Sequence, residues 1–194
     1  MKSHVPDNAL YPGWGGLALG ALSKLYCRVW YKIPSGWQYH SGNGKFIGFG
    51  IDQGGSGLDC YLDHRSVAER HAFRFQLPTL FAANGVYVSD AGDMGHPVED
   101  VWYDVEILLV AQSAPGVADG EFHVWRNGSK ATNYYILGSG GSYDGTGLAF
   151  VSASGTGVGW DAIQNFPYYW GGTGQTKTQE DHLGIGMLYL SGKR

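Results

Sequence analysis

Charge is scarce in this chain. Only 15% of its 194 residues are Asp, Glu, Lys or Arg, the net charge is -4, and no Lys/Arg cluster occurs. The basic face that nucleic acid and anionic membrane surfaces demand is therefore missing, and neither is expected as a partner. A polyanionic substrate is slightly disfavoured for the same reason. Cysteine is nearly absent: Cys27 and Cys60 are too few for a disulfide framework and read as free thiols, Cys27 on the apolar face of a strand. No apolar run is long enough to span a bilayer, and the opening MKSHVPDNALYPGWGG has no signal-peptide core. The expectation is a protein without a signal peptide, cytoplasmic when synthesised, with virion association as the alternative location.

Metal and cofactor signatures are missing as well. Histidines at positions 4, 40, 64, 71, 96, 123 and 182 match neither H-E-x-x-H nor a Cys/His zinc spacing, so no metal site is expected. Asp90, Asp93 and Asp119 sit in acidic turns that were weighed for Ca2+, but turn aspartates more often cap turns and no EF-hand pattern is present. GSGGSYDG lacks the G-K-[ST] of a phosphate loop, and no cofactor is expected. No stretch holds a helical period for three turns.

What is present is alternation. LYCRVWYKI (25–33) puts Leu25, Cys27, Val29, Tyr31 and Ile33 on one face and Tyr26, Arg28, Trp30 and Lys32 on the other, the signature of a half-buried antiparallel strand. KFIGFGI (45–51), HAFRFQL (71–77), GVYVS (85–89), VWYDVEILLV (101–110), EFHVW (121–125), NYYIL (133–137), GLAFVSA (147–153) and HLGIGMLYL (182–190) read the same way. The connections are rich in Gly, Pro, Asn and Asp. Asn127-Gly128 predicts a tight hairpin, which also outweighs reading Asn127-Gly128-Ser129 as a glycosylation site. Many short strands with such turns predict an all-β fold, an antiparallel two-sheet β-sandwich or a barrel.

Three stretches then converge: LYCRVWYKIPSGWQYHSGNGKFIGFG, WYDVEILLVAQSAPGVADGEFHVWRNGSK and FPYYWGGTGQTKTQEDHLGIGMLYLSG. Together they resemble the concanavalin A-like jelly roll of the polysaccharide lyases that act on alginate and glucuronan, including virus-encoded members and uncharacterised phage and bacterial proteins. The resemblance spans roughly residues 25 to 192. It implies an N-terminal arm (1–24) before a single jelly-roll domain (25–194), with Leu25, Val29, Ile33, Phe73, Phe75, Val105, Ile107, Phe122, Val124, Ile185 and Met187 packed between the sheets. It also implies that Tyr168, Tyr169 and Trp170, before a Gly-Gly turn, close one end of the core.

A lyase of this kind neutralises a uronate carboxylate, removes the C5 proton with a base and protonates the leaving oxygen. The resemblance offers Lys45, Arg74, Gln76 and Tyr87 for those tasks; the same positions read equally as an ordinary solvated sheet face. The family pairs two tyrosines at alternate positions of one strand, whereas this chain has Tyr87 followed by Ser89, so the proton-transfer pair is incomplete. Sugar binding asks less, since an aromatic face stacks on a pyranose while planar polar groups bond its hydroxyls. Tyr26, Arg28, Trp30, His123 and Trp125 are the candidate sugar-binding residues, with Glu106 on the neighbouring surface. The same Trp-Arg face would equally suit burial by another subunit. The expected function is therefore a non-catalytic carbohydrate-binding jelly roll whose partner is a polysaccharide or glycan. The alternatives are a virion decoration, coat or tail protein contacting itself or other virion subunits, and a uronate polysaccharide lyase.

Overall fold

The computed structural model describes residues 2–5, 16–38, 45–51, 56–65, 70–76, 86–87, 98–131, 134–136, 142–164, 166 and 178–193. Among the described residues there is no helix. The strands are β1 (Lys2–Val5), β2 (Leu17–Leu22), β3 (Lys24–Lys32), β4 (Lys45–Ile51), β5 (Ser56–Arg65), β6 (Arg70–Gln76), β7 (Val86–Tyr87), β8 (Trp102–Val110), β9 (Glu121–Arg126), β10 (Ser129–Lys130), β11 (Tyr134–Ile136), β12 (Ser142–Tyr143), β13 (Trp160–Gln164) and β14 (Asp181–Lys193). They form a six-stranded sheet in the order β1-β14-β3-β8-β9-β10, a five-stranded sheet β2-β13-β4-β5-β6 and a three-stranded sheet β12-β11-β7. All recorded pairings are antiparallel. Residues 1–24 thus contribute an outer strand to each of the two larger sheets.

The sandwich follows from the alternation of its central strands. On β3 the side chains of Leu25, Cys27, Val29 and Tyr31 are buried while those between them point out of the sheet. β8 repeats the pattern with Tyr103, Val105, Ile107 and Leu109 in unbroken register from Lys24↔Val110 to Lys32↔Trp102. From the five-stranded sheet, Phe46 meets Tyr31 with ring centroids 4.9 Å apart, and Trp160 meets Phe150 edge-on at 4.9 Å. Each such ring contributes about 2 kcal/mol through burial. Burial pushes the Cys27 thiol up to about 12, because a thiolate has no solvation there. β9 and β10 join through Asn127 (φ 51) and Gly128 (φ 78), the two left-handed residues that the tight hairpin requires.

Two expectations need correction. Met187, assigned to the core, is exposed. The ladder between β14 and β3 shifts between Ile185 and Met187, and one extra residue in a strand turns every later side chain to the other face. Ile185 stands opposite Tyr31 inside, and Met187 stands opposite Trp30 outside. The segment 147–153, read as a strand, makes only the isolated bridge Leu148↔Gly120. Leu148, Phe150 and Val151 are nevertheless buried. The buried Gln112 amide holds this segment in place of a ladder: its nitrogen donates to Val151 O (2.9 Å) and Ala114 O (2.8 Å), and its oxygen accepts from Val151 N (2.7 Å).

The other expected core residues among those described, Leu25, Val29, Ile33, Val105, Ile107, Phe122, Val124 and Ile185, are all buried. The side chains of Phe73 and Phe75 lie outside the described residues, as do Tyr168, Tyr169 and Trp170. Their neighbour Phe166 packs against the core, with its ring 6.4 Å from that of Phe46.

Candidate functional site

Apart from Tyr87, on β7 of the three-stranded sheet, the sequence-derived candidates divide between the two large sheets. Lys45, Arg74 and Gln76 belong to the five-stranded sheet, on β4 and β6. Backbone register sets Lys45 opposite Tyr61 and Tyr61 opposite Arg74, one row across β4, β5 and β6. Two positions along, past Ile47–Cys60–Phe75, a row runs Gln164, Gly48, Asp59, Gln76. Tyr87 lies on β7, which runs beside β6, and stands opposite Tyr135 of β11. Lys45 is half-buried; the side chains of Arg74, Gln76 and Tyr87 lie outside the described residues. Beside the rows, β13 carries a register shift between Trp160 and Ala162. Asp161 Oδ1 is buried there with no hydrogen-bond partner. A Cβ at Gly50 would lie 3.1 Å from Asp161 Oδ1, Gln164 Nε2 and Ala162 Cβ, so β13 side chains pack tightly over β4 at this point.

Tyr26, Arg28, Trp30, His123 and Trp125 belong to the six-stranded sheet, and three of them are engaged by neighbouring carboxylates. Tyr26 donates a short hydrogen bond to Glu106. Burial first, then that bond and the Glu106 charge, push its phenol up to about 12. Arg28 makes a forked pair with Asp104 at 2.9 and 2.5 Å, which raises the guanidinium pKa further. His123 is buried, with Nε2 3.1 Å from Glu121 and Nδ1 unpartnered. The Gly145 backbone (φ 91) covers it so closely that a Cβ there would lie 2.8 Å from Nδ1 and collide with Phe122 O. Trp125, half-buried, has the Lys130 ammonium 5.6 Å from its ring centre. Of the five, Trp30 alone is exposed, at 43%.

A group that sequence reasoning missed lies at the other end of this sheet face. Trp102 is 47% exposed, and its ring lies over the glycines of β14: a Cβ at Gly184 or Gly186 would approach it to 3.3 or 3.2 Å. Beside it opens a pocket of about 680 Å³ lined by Lys32, Pro34, Ser35, Trp102, Glu180, Asp181, His182 and the Gly184–Gly186 backbone. Its walls are strapped together. The Asp181 carboxylate accepts from Gln38 N (2.9 Å) and Gln179 Nε2 (2.7 Å), and Gln179 Nε2 also donates to Gly36 O (2.6 Å). Gly36 N donates to Glu99 (2.9 Å), and Gln38 Oε1 accepts from Thr178 N (2.8 Å). The available signal was the Gly-x-Gly of HLGIGM (182–187), which reads as plain strand until pairing brings Trp102 to it.

Asp119 accepts from Ser113 N (2.8 Å), and hydrogen bonding by the Ser113 side chain first, then by its backbone N–H, lowers its pKa. Asp90 and Asp93 lie outside the described residues. Among the described residues no cluster of three or more His, Cys, Asp or Glu is placed to hold a metal ion.

No protein-family model matches the chain, and no curated protein matches it in sequence. Solved structures do resemble it. Alginate lyase Aly36B in complex with alginate trisaccharide aligns with a TM-score of 0.68 at 12% identity, over 100% of this chain and 81% of that one. Alginate lyase vAL-1 from Chlorella virus aligns at 0.58 and 13%, over 98% and 84%. An endo-β-1,4-glucuronan lyase from the fungus Trichoderma reesei aligns at 0.53 and 10%, over 100% and 79%. The chain therefore has the jelly-roll fold of the polysaccharide lyases.

Proposed function

We propose that this protein binds a uronate-containing polysaccharide on the five-stranded sheet and does not cleave it. The observation that carries the reading is the row Lys45–Tyr61–Arg74, which brings two cationic residues and an aromatic to adjacent strands of one sheet. A cation beside a ring suits a uronate, whose carboxylate pairs with Lys or Arg while its C-H face stacks. The row two positions along supplies Asp59 and Gln76 positions for hydroxyl groups. The solved complexes of fold relatives with alginate trisaccharide and tetrasaccharide support the same class of ligand. Placing the grip here revises the sequence expectation of Tyr26, Arg28, Trp30, His123 and Trp125, most of whose polar groups are already engaged.

A second reading, cleavage by β-elimination, is favoured by one observation. Tyr135 stands opposite Tyr87 across β11 and β7, so a second tyrosine comes from a neighbouring strand where the family supplies it from the same one. Cleavage leaves a C=C bond absorbing near 235 nm, and binding cannot create one. Isothermal titration with alginate and glucuronan oligosaccharides, run beside that absorbance assay, separates the two. Binding without new absorbance, weakened roughly tenfold or more in Lys45→Ala and Arg74→Ala, is the expected result. New absorbance that disappears in Tyr87→Phe would establish cleavage instead.

A further inference from the structure

We infer that the pocket at the β14 end of the six-stranded sheet is a second ligand site, on the sheet opposite the proposed uronate grip, and that it takes a neutral β-linked hexose oligosaccharide. Its size falls in the range of small-molecule sites. Its floor is β14, which pairs with β1 over Asp181–Gly184 and with β3 from Gly184 onward. Its Pro34–Ser35 wall is tied to the 178–181 segment through Gly36, Gln38, Gln179 and Asp181. Such a cleft keeps its shape without a ligand, which lowers the ordering cost of binding.

The lining chemistry selects the ligand class. Trp102 is seated over two glycines and still has nearly half its surface exposed, so it is a fixed ring with surface to offer. Rings of this kind stack on a pyranose face, and β-linked hexoses with equatorial hydroxyls present broad C-H faces. Lys32, Ser35 and Glu180 line the same pocket, residue types whose donors and acceptors fix a sugar's orientation. Charge excludes the ligand proposed for the other sheet. Lys32 lies 3.5 Å from the Asp100 carboxylate, Glu180 and Asp181 add two negative charges, and a uronate would be repelled. His182, 3.2 Å from Glu180, offsets one of those charges only when protonated.

The probes are cellohexaose, laminarihexaose and a mannuronate hexasaccharide, titrated by calorimetry and by tryptophan fluorescence, with a thermal melt of every variant. A neutral hexasaccharide is expected to bind with Kd of about 1 mM or tighter and to perturb the fluorescence. Trp102→Ala is expected to weaken it roughly tenfold, and Glu180→Gln, an isosteric change that leaves the ring in place, several-fold. Should Trp102→Ala fail to fold, Glu180→Gln carries the decision. Absence of binding by both neutral probes, neutral affinity unchanged in the folded variants, or mannuronate binding that Trp102→Ala abolishes would each overturn the inference. The uronate grip on the five-stranded sheet stands or falls separately, through Lys45 and Arg74.

Discussion

At the β8–β9 end of the six-stranded sheet's outer face, Tyr26, Arg28 and His123 each meet a carboxylate, from Glu106, Asp104 and Glu121. At the β14 end, Trp30 and Trp102 stand close to half exposed beside a pocket. Both ends carry aromatics, cations and acids. What separates them is pairing across strands. Where the neighbouring strand supplies a carboxylate one diagonal step away, as β8 does with Glu106 for Tyr26 and Asp104 for Arg28, polar groups close on one another and the surface is finished. Where β14, one strand beyond Lys32, supplies Gly184 and Gly186, the Trp102 ring from β8 reaches across β3 to settle on its backbone, and a pocket opens beside it.

The largest expected effect comes from forcing the closed end open. Gly145→Ala puts a side chain on a left-handed residue and against His123 and Phe122, and is expected to cost about 3 kcal/mol in a denaturant melt. Alanine tolerated within about 0.5 kcal/mol would show that the cover over His123 is loose. At the open end, Gly186→Ser is expected to displace Trp102, whose ring would be 3.2 Å from the new Cβ, and to weaken neutral oligosaccharide binding roughly tenfold with a smaller change in stability. Unaltered binding in a folded Gly186→Ser protein would separate the glycine seat from recognition.

Smaller effects test the closed end's hydrogen bonds. Tyr26→Phe is expected to destabilise by about 1 kcal/mol and to leave oligosaccharide binding intact. Its pH dependence has a definite sign. The folded phenol is raised from 10.0 to about 12, so the stabilisation is complete below pH 10 and fades as the pH rises toward 12. Cys27, raised from 9.0 to about 12, acts in the same direction from pH 9. Urea unfolding at pH 8, 10 and 11 is expected to show declining stability, and Cys27→Ala is expected to flatten the slope. Stability that rises with pH over this interval would contradict both assignments.

Much of the sandwich was legible because β3 and β8 are half-buried strands with a strict period of two. β5 and β13 were not. The first begins in Gly-Ser turn chemistry, and the second is five residues long with an irregular register beside Asp161. Met187 was misassigned because a strand's phase is readable only until a bulge resets it. GLAFVSA alternates because its side chains are buried, although a glutamine amide replaces the ladder. Residue types at the candidate sites were legible; their partners were not. Asp104 and Glu106 lie 76 and 80 residues from the groups they bind, and the pocket gathers its lining from β3, β8, β14 and two loops. The row Lys45–Tyr61–Arg74 was half visible: family resemblance gave its two ends, while Tyr61 sits on the strand that was missed.

The central claim is that polysaccharide is gripped by the five-stranded sheet. Amide hydrogen exchange, measured with and without a mannuronate hexasaccharide, tests it most directly because it reports the protected strands without presuming which side chains matter. The account expects slowed exchange in Lys45–Ile51, Ser56–Arg65 and Arg70–Gln76. Protection confined to Lys24–Lys32, Trp102–Val110 and Glu121–Arg126 would contradict it and return the site to the opposite sheet.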